Sequence, residues 1–295
     1  MKVLVIGASG LVGGECLRIF SAEPGFQVAG SYFSFPLPAL HQIDTLQPDA
    51  LDRWAEEHFL PDLLIQCGAL THVDRCEQYP EESFRLTVQA HRNILAFCKR
   101  HGVRMVAFST DYVFDGRSGP YREEDPVHPL SVYGRHKLIV EEETLEAEPR
   151  HLVLRITNVY GREIRGKNFV ARLLWQIKQN KPITLRLPVD QYSTPTCAAD
   201  IAAAALLLVK EGQSGIFHIA GTDYMNRVEL ALTVLRICGY TNYDLEALPT
   251  HKLGQPAPRP LFGGLIAHKF KERFPQFIFS SVAEFVKNNK DQKTD

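Results

Sequence analysis

Lys2-Val3-Leu4-Val5-Ile6-Gly7-Ala8-Ser9-Gly10-Leu11-Val12-Gly13 decides how the rest of the chain is read. Four apolar residues end at a glycine, and two more glycines follow at intervals of three before a helical pattern begins. A strand that turns into a helix through residues lacking side chains lets backbone N–H groups approach a pyrophosphate at the helix N-terminus. The same glycines could serve a tight strand–helix turn and nothing more. The strand before them, the helix after them and the chemistry downstream favour the cofactor reading.

Outward from this loop, strand and helix patterns alternate. A helix is expected over 11–21, strands over 27–31 and 41–44, a helix over 49–59 and a strand over 63–67. A long helix over 81–101, a strand over 104–109, a helix over 130–146 and a strand over 151–156 follow. This alternation predicts a parallel sheet covered on both faces. Beyond Gly161 the pattern loosens: helices over 168–179 and 198–210, a strand over 183–187, and a strand over 215–220 that rejoins the main sheet. Asn226 and Glu229 form a capping pair for a helix through Ile237, and 252–264, rich in Pro and Gly, reads as a loop. The charged end, 287–295, reads as a frayed tail. The fold class is therefore α/β: a Rossmann-type doubly wound parallel sheet with a smaller, mostly C-terminal substrate lobe. Residues 1–160 are expected to form an NAD(P)-binding domain and 161–295 mainly the lobe, with segments near 188–222 returning to the first.

Among 295 residues, 33 basic side chains stand against 34 acidic ones, with no basic stripe suited to nucleic acid. The longest apolar run, 201–209, falls well short of the roughly 20 residues that span a bilayer. The opening residues read as a strand rather than a signal peptide. Six cysteines make no C-x-x-C pair and eleven histidines make no zinc signature, so free thiols, a cytoplasmic setting and no metal are expected.

Tyr133 and Lys137 stand four apart in a predicted helix, downstream of Ser109-Thr110. One helix face carries both side chains, so an ammonium can approach a phenol. A phenol with a pKa of about 10 exchanges protons poorly at neutral pH, and a neighbouring positive charge would lower that value. Such a phenol could protonate a carbonyl oxygen as hydride reaches the carbon, while a hydroxyl of the Ser109-Thr110 pair holds that oxygen. A surface Tyr-Lys pair would show the same spacing, but not the glycine loop and hydroxyl pair before it. Asp74 and Glu77 are expected to cap and solvate the loop before the next helix. Trp54 and Trp175 read as packing residues, and Glu123, Glu124 and Asp125 as a solvated face.

The G-x-x-G-x-x-G spacing resembles that of extended short-chain dehydrogenases. Thr71-His72-Val73-Asp74, Phe108 through Gly116, Pro120 through Asp125, Pro129 through Gly134, Asp190 through Thr196 and Arg259-Pro260 together resemble the dTDP-4-dehydrorhamnose reductase family over nearly the whole chain. The resemblance implies Thr110, Tyr133 and Lys137 as catalytic residues. It implies Gly7, Ser9, Gly10, Leu11, Val12 and Gly13 at the phosphates, Asp44 and Thr45 beside the adenine, and Gly68, Ala69 and Thr71 along the cofactor. Lys137 would also hydrogen-bond the nicotinamide ribose. Thr110, Asp111, Val113 and Asn158 lie where relatives meet the sugar nucleotide.

Departures from the family pattern are informative. Ser31 ends the second strand where an acid would hold the ribose hydroxyls of NAD, and no nearby arginine stands out to grip a phosphate. NADPH or NADH is expected, with a tilt to NADPH. Gln66 and Thr87 replace family asparagines, and Asn158 replaces a tryptophan that packs on the substrate. The expected activity is NAD(P)H-dependent reduction of a nucleotide-linked 4-keto-6-deoxysugar. A sugar-nucleotide epimerase is one alternative; a dehydratase is disfavoured because Asp111-Tyr112 stands where those enzymes carry Asp-Glu. Another is a cofactor-binding regulatory subunit similar to the β subunit of methionine adenosyltransferase. A homodimer is left open, without the acidic cluster that some family members use for magnesium.

Overall fold

β1 (Lys2–Ile6) is an inner strand of the main sheet in the structure, a computed structural model that describes residues 1–163 and 165–291. It leads to α1 (Leu11–Ser21), β2 (Gln27–Tyr32), β3 (His41–Gln42), α2 (Ala50–Glu57) and β4 (Leu63–Gln66). Next come α3 (Val73–Gln78), α4 (Pro80–Phe84), a π-helical stretch (Arg85–Gln89), α5 (Ala90–His101) and β5 (Arg104–Thr110). A short turn of 3-10 helix (Asp111–Val113) precedes α6 (Val132–Ala147), β6 (Leu152–Ile156) and β7 (Val159–Tyr160). Then follow α7 (Phe169–Lys178), β8 (Ile183–Pro188), β9 (Tyr192–Ser193), β10 (Thr196–Cys197) and α8 (Ala198–Lys210). The chain finishes with β11 (Gly215–His218), β12 (Met225–Asn226), α9 (Arg227–Ile237), β13 (Tyr243–Leu248), α10 (His268–Arg273) and α11 (Val282–Asn289).

The main sheet has the order β11-β6-β5-β4-β1-β2-β3, and every pairing in it is parallel. Alternation along β1 explains why its apolar run is unbroken. Val3 and Val5 pack with Cys16 and Phe20 of α1 and Ala205 and Leu208 of α8. Leu4 and Ile6 face the other way, toward Trp54, Ile94, Phe97 and Val140. A strand buried on both faces needs apolar side chains at every position. A second core joins Tyr160, Leu173, Leu230, Val234 and Val286, beside the parallel pair β8–β13.

From β1 the chain winds outward to β2 and β3, then returns to β4 and winds the other way. Such a reversal leaves a crevice at the carboxyl ends of the strands, between β1 and β4. The Rossmann-type sheet is as expected, whereas several elements differ. The helix expected over 81–101 starts at Pro80 and carries the π-helical stretch around Thr87, an insertion in the helical ladder that is frequent at functional sites. The expected tail begins inside α11, where Ser281 and Glu284 form a capping box that sustains helix through Asn289; residues 292–295 of that expectation lie outside the described residues. Trp175 is exposed rather than packed, and Glu123 is tucked inward, accepting the backbone N–H of His218 at 2.9 Å.

Candidate active site

The glycine loop bends as its sequence demands. Gly7 adopts φ +78°, and a Cβ there would lie 2.9 Å from the Gly68 nitrogen. A Cβ on Gly13 would lie 2.3 Å from the Gly7 carbonyl oxygen, so α1 could not seat against the loop with any larger residue. Gly10 caps α1 without a side chain, so its first-turn N–H groups are shielded by no capping atom. This cradle fits a dinucleotide pyrophosphate.

A cleft of about 1240 Å³ opens from the loop across the sheet edge. Gly7, Ser9, Gly10, Leu11, Val12 and Gly13 line one arm. Ser31, Asp44, Thr45, Gly68, Ala69 and Thr71 continue that lining. Thr110, Asp111, Tyr133, Lys137 and Asn158 are brought to the same cavity. Val113 is not among its lining residues: its side chain is buried with Phe114, Tyr121, Ala220 and Leu265, because the turn after β5 points it into the core.

Thr110 ends β5 and accepts a hydrogen bond from the Tyr112 backbone nitrogen at 3.2 Å. Its hydroxyl faces Tyr133 in the first turn of α6, a helix capped by Ser131, whose hydroxyl accepts the Gly134 N–H at 3.2 Å. Burial pushes the Tyr133 phenol well above its ordinary value, while the hydrogen bond to Thr110 works the other way. The expected lysine effect is therefore not what dominates here, and Lys137 is not among the main influences on this phenol. Burial lowers Lys137 itself to about 8, with the charge of Glu141, one turn along α6, opposing that shift. Ser109 adds a second hydroxyl at the cleft, buried and without a hydrogen-bond partner.

Asp111 is held from two sides. Its Oδ2 accepts from the Thr157 hydroxyl at 2.6 Å and from the Gly264 N–H at 3.0 Å. Asn158 adopts φ +40° and donates from Nδ2 to the Ser193 hydroxyl at 3.0 Å. Gln66 contacts His91 at 3.0 Å, whose other ring nitrogen meets the Thr144 hydroxyl at 3.1 Å. Thr87 accepts the Leu70 N–H at 3.4 Å.

Asp74 and Glu77 do more than solvate a loop. Glu77 accepts the Val132 N–H at 2.8 Å, at the start of the helix that carries Tyr133. Asp74 accepts the Ala257 N–H at 3.2 Å and ion-pairs with Arg259 at 2.7 Å. The second guanidinium nitrogen of Arg259, Nη1, is buried without a partner, and the residue lines the cleft together with Arg172 and Arg227. Sequence reasoning missed this cationic arm. Its one signal was Arg259-Pro260, noted only as part of a resemblance. Among the described residues, no group of three or more His, Cys, Asp or Glu is arranged to hold a metal. Among them, too, no helix is long and apolar enough to cross a membrane.

Comparison with known proteins adds a family to this geometry. The model of the RmlD substrate binding domain matches residues 1–288. A probable low-salt glycan biosynthesis reductase of Haloferax volcanii is 33% identical over 266 residues, covering 88% of each chain. The methionine adenosyltransferase 2 subunit beta of Bos taurus is 29% identical, covering 79% of this chain and 71% of its own. Among solved structures, a dTDP-4-dehydrorhamnose reductase from Clostridium acetobutylicum superposes with a TM-score of 0.85, at 27% identity over 99% of both chains.

Proposed function

The chain belongs to the RmlD substrate binding domain family, and from that premise we propose that it reduces the 4-keto group of a nucleotide-linked 6-deoxysugar with NADPH or NADH. It is an NAD(P)-dependent oxidoreductase of a sugar-nucleotide reductase family. The observation that carries the finer reading is the meeting of the glycine cradle with Thr110, Tyr133 and Lys137 in one cleft. When bound, the nicotinamide supplies the hydride. Tyr133 delivers its phenolic proton to the keto oxygen, with the hydrogen bond to Thr110 favouring release against the effect of burial. Thr110 orients the same oxygen through its hydroxyl, and Lys137 presents a positive charge to the cofactor ribose. Arg172, Arg227 and Arg259 suit the diphosphate of a nucleotide sugar, since a guanidinium recognises phosphate oxygens with paired donors.

A second reading has one observation behind it: the likeness to the beta subunit of methionine adenosyltransferase 2 supports a cofactor-binding regulatory role. The two separate in one assay. Nicotinamide absorbance is followed while the protein meets a panel of dTDP- and other nucleotide-linked 4-keto-6-deoxysugars, and products are identified by mass. Reduction of one of them is the expected result. A protein that binds cofactor, turns over none and co-purifies with an adenosylmethionine synthetase would be the regulatory subunit instead.

A further inference from the structure

We propose that Arg165, carried on the segment between Gly161 and Asn168, selects NADPH by gripping the phosphate on the 2′-oxygen of its adenosine half; this rests on the reductase reading above. The residue at the end of the second strand is where the adenosine ribose hydroxyls of a dinucleotide lie. Here Ser31, the penultimate residue of β2, takes that place beside the glycine loop, 1% exposed and with its hydroxyl accepting the Gly7 N–H at 3.4 Å, so no carboxylate stands there to repel an added phosphate. Past Ser31 the chain runs along the cleft through Tyr32, Phe33 and Ser34 to Phe35. The guanidinium carbon of Arg165 lies 4.8 Å from the centre of the Phe35 ring, and Arg165 lines the same cleft.

The segment that carries Arg165 is fixed at its root. A Cβ on Gly161 would come within 3.0 Å of the Leu11 side chain, so the segment leaves directly beside the phosphate loop. A guanidinium stacked on a ring uses its face and leaves its edge, with the forked N–H donors, for an anion. Lys167 lines the cleft nearby, its pKa lowered by burial and then by the charge of Arg165. An anion between the two would relieve that repulsion. The local acid, Glu163, accepts the Asn168 N–H at 2.5 Å within its own segment. The pyrophosphate already has the N–H groups of the glycine loop, and the contact with Phe35 places Arg165 at the β2 side.

The test is equilibrium binding of NADPH and of NADH, each by calorimetry, to wild type, Arg165→Ala, Arg165→Lys and Ser31→Asp. Wild type should bind NADPH more tightly. Arg165→Ala should weaken NADPH about 10- to 100-fold, the range for loss of a charge-assisted contact, and leave NADH within about twofold. Arg165→Lys should recover part of the loss, and Ser31→Asp should move the ratio of the two affinities toward NADH. Equal weakening of both cofactors by Arg165→Ala would assign the residue to the pyrophosphate and overturn the proposal, as would no weakening of either. Wild type that binds neither cofactor would instead remove the reductase reading, and this inference with it.

Discussion

Burial raises the Tyr133 phenol and the hydrogen bond to Thr110 lowers it; burial wins, so in the protein alone the phenol is a weaker acid than a free tyrosine. It is protonated at neutral pH, as a free phenol is, and gives its proton to a strong base such as the alkoxide oxygen that forms as hydride reaches the carbonyl carbon. Tyr133→Phe should bind cofactor within about twofold of wild type yet lose on the order of 100-fold or more in turnover; a rate left intact would show that another group gives the proton. Lys137 sets the alkaline limit. With its pKa near 8, it is an ammonium below that pH and an amine above it. kcat/KM, which reports the free enzyme, should therefore fall as pH rises through about 8. A profile flat to pH 9.5 or so would contradict this assignment, since most of the charge would be gone by then. Asn158 makes a third case. The family's tryptophan would have to adopt φ +40° there and give up the bond to Ser193, a strain of roughly 1–3 kcal/mol. Asn158→Trp should lower the thermal midpoint more than Asn158→Gly does. Any gain in turnover of dTDP-4-dehydrorhamnose should come with that loss; a tryptophan variant as stable as wild type would mean the backbone relaxes freely.

Helix α3 shows what one sequence hides about its own elements. Its six residues have no clear apolar period, yet Glu77 takes the Val132 N–H and Asp74 takes Arg259. Glu77→Ala should cost about 1 kcal/mol, as loss of an N-terminal capping partner does, and should slow turnover because Tyr133 sits in the turn it holds. Glu77→Gln, which keeps an acceptor, should restore most of both; equal defects in the two would point to charge rather than capping. β1 and α1 were legible because burial imposes a continuous apolar run on one and the glycine loop fixes the start of the other. The capping pair Asn226 and Glu229 was legible because both partners lie within one turn. β13 was not legible: its outer positions are exposed and its partner β8 lies far back in the chain. The same reason concealed the Asp74–Arg259 pair and the arrival of Arg165 over Phe35. Spacing speaks for neighbours in sequence; a contact made by folding leaves no period to read.

Across the whole molecule, three buried histidines tie stability to pH. Burial lowers His91 and His218 to about 3 and His151 to about 4. For His151 the folded value lies below the ordinary 6.5, so between about pH 4 and 6.5 the unfolded chain binds the extra proton. Stability then rises with pH through that window, by up to about 1.4 kcal/mol per unit for this one group, and is lost on acidification. Asp111, Glu123 and Asp200, raised by burial, act in the opposite sense, so the useful quantity is a difference between variants. His151 accepts the Met105 N–H at 3.2 Å, a bond an amide oxygen can take over. His151→Asn should therefore flatten the urea-denaturation free energy against pH across that window by roughly that slope. An unchanged slope would mean that His151 titrates alike in both states. The bond between Asp111 and the Gly264 N–H has a different reach, joining partners 153 residues apart. On a ribosome, the glycine loop and the Tyr133 helix emerge early, but α8 and β11, which complete the core and the sheet beneath them, follow only by residue 218, and Gly264 later still. Asp111 is thus anchored only after the last strand of the main sheet has been made, which sets substrate recognition late in the order of synthesis.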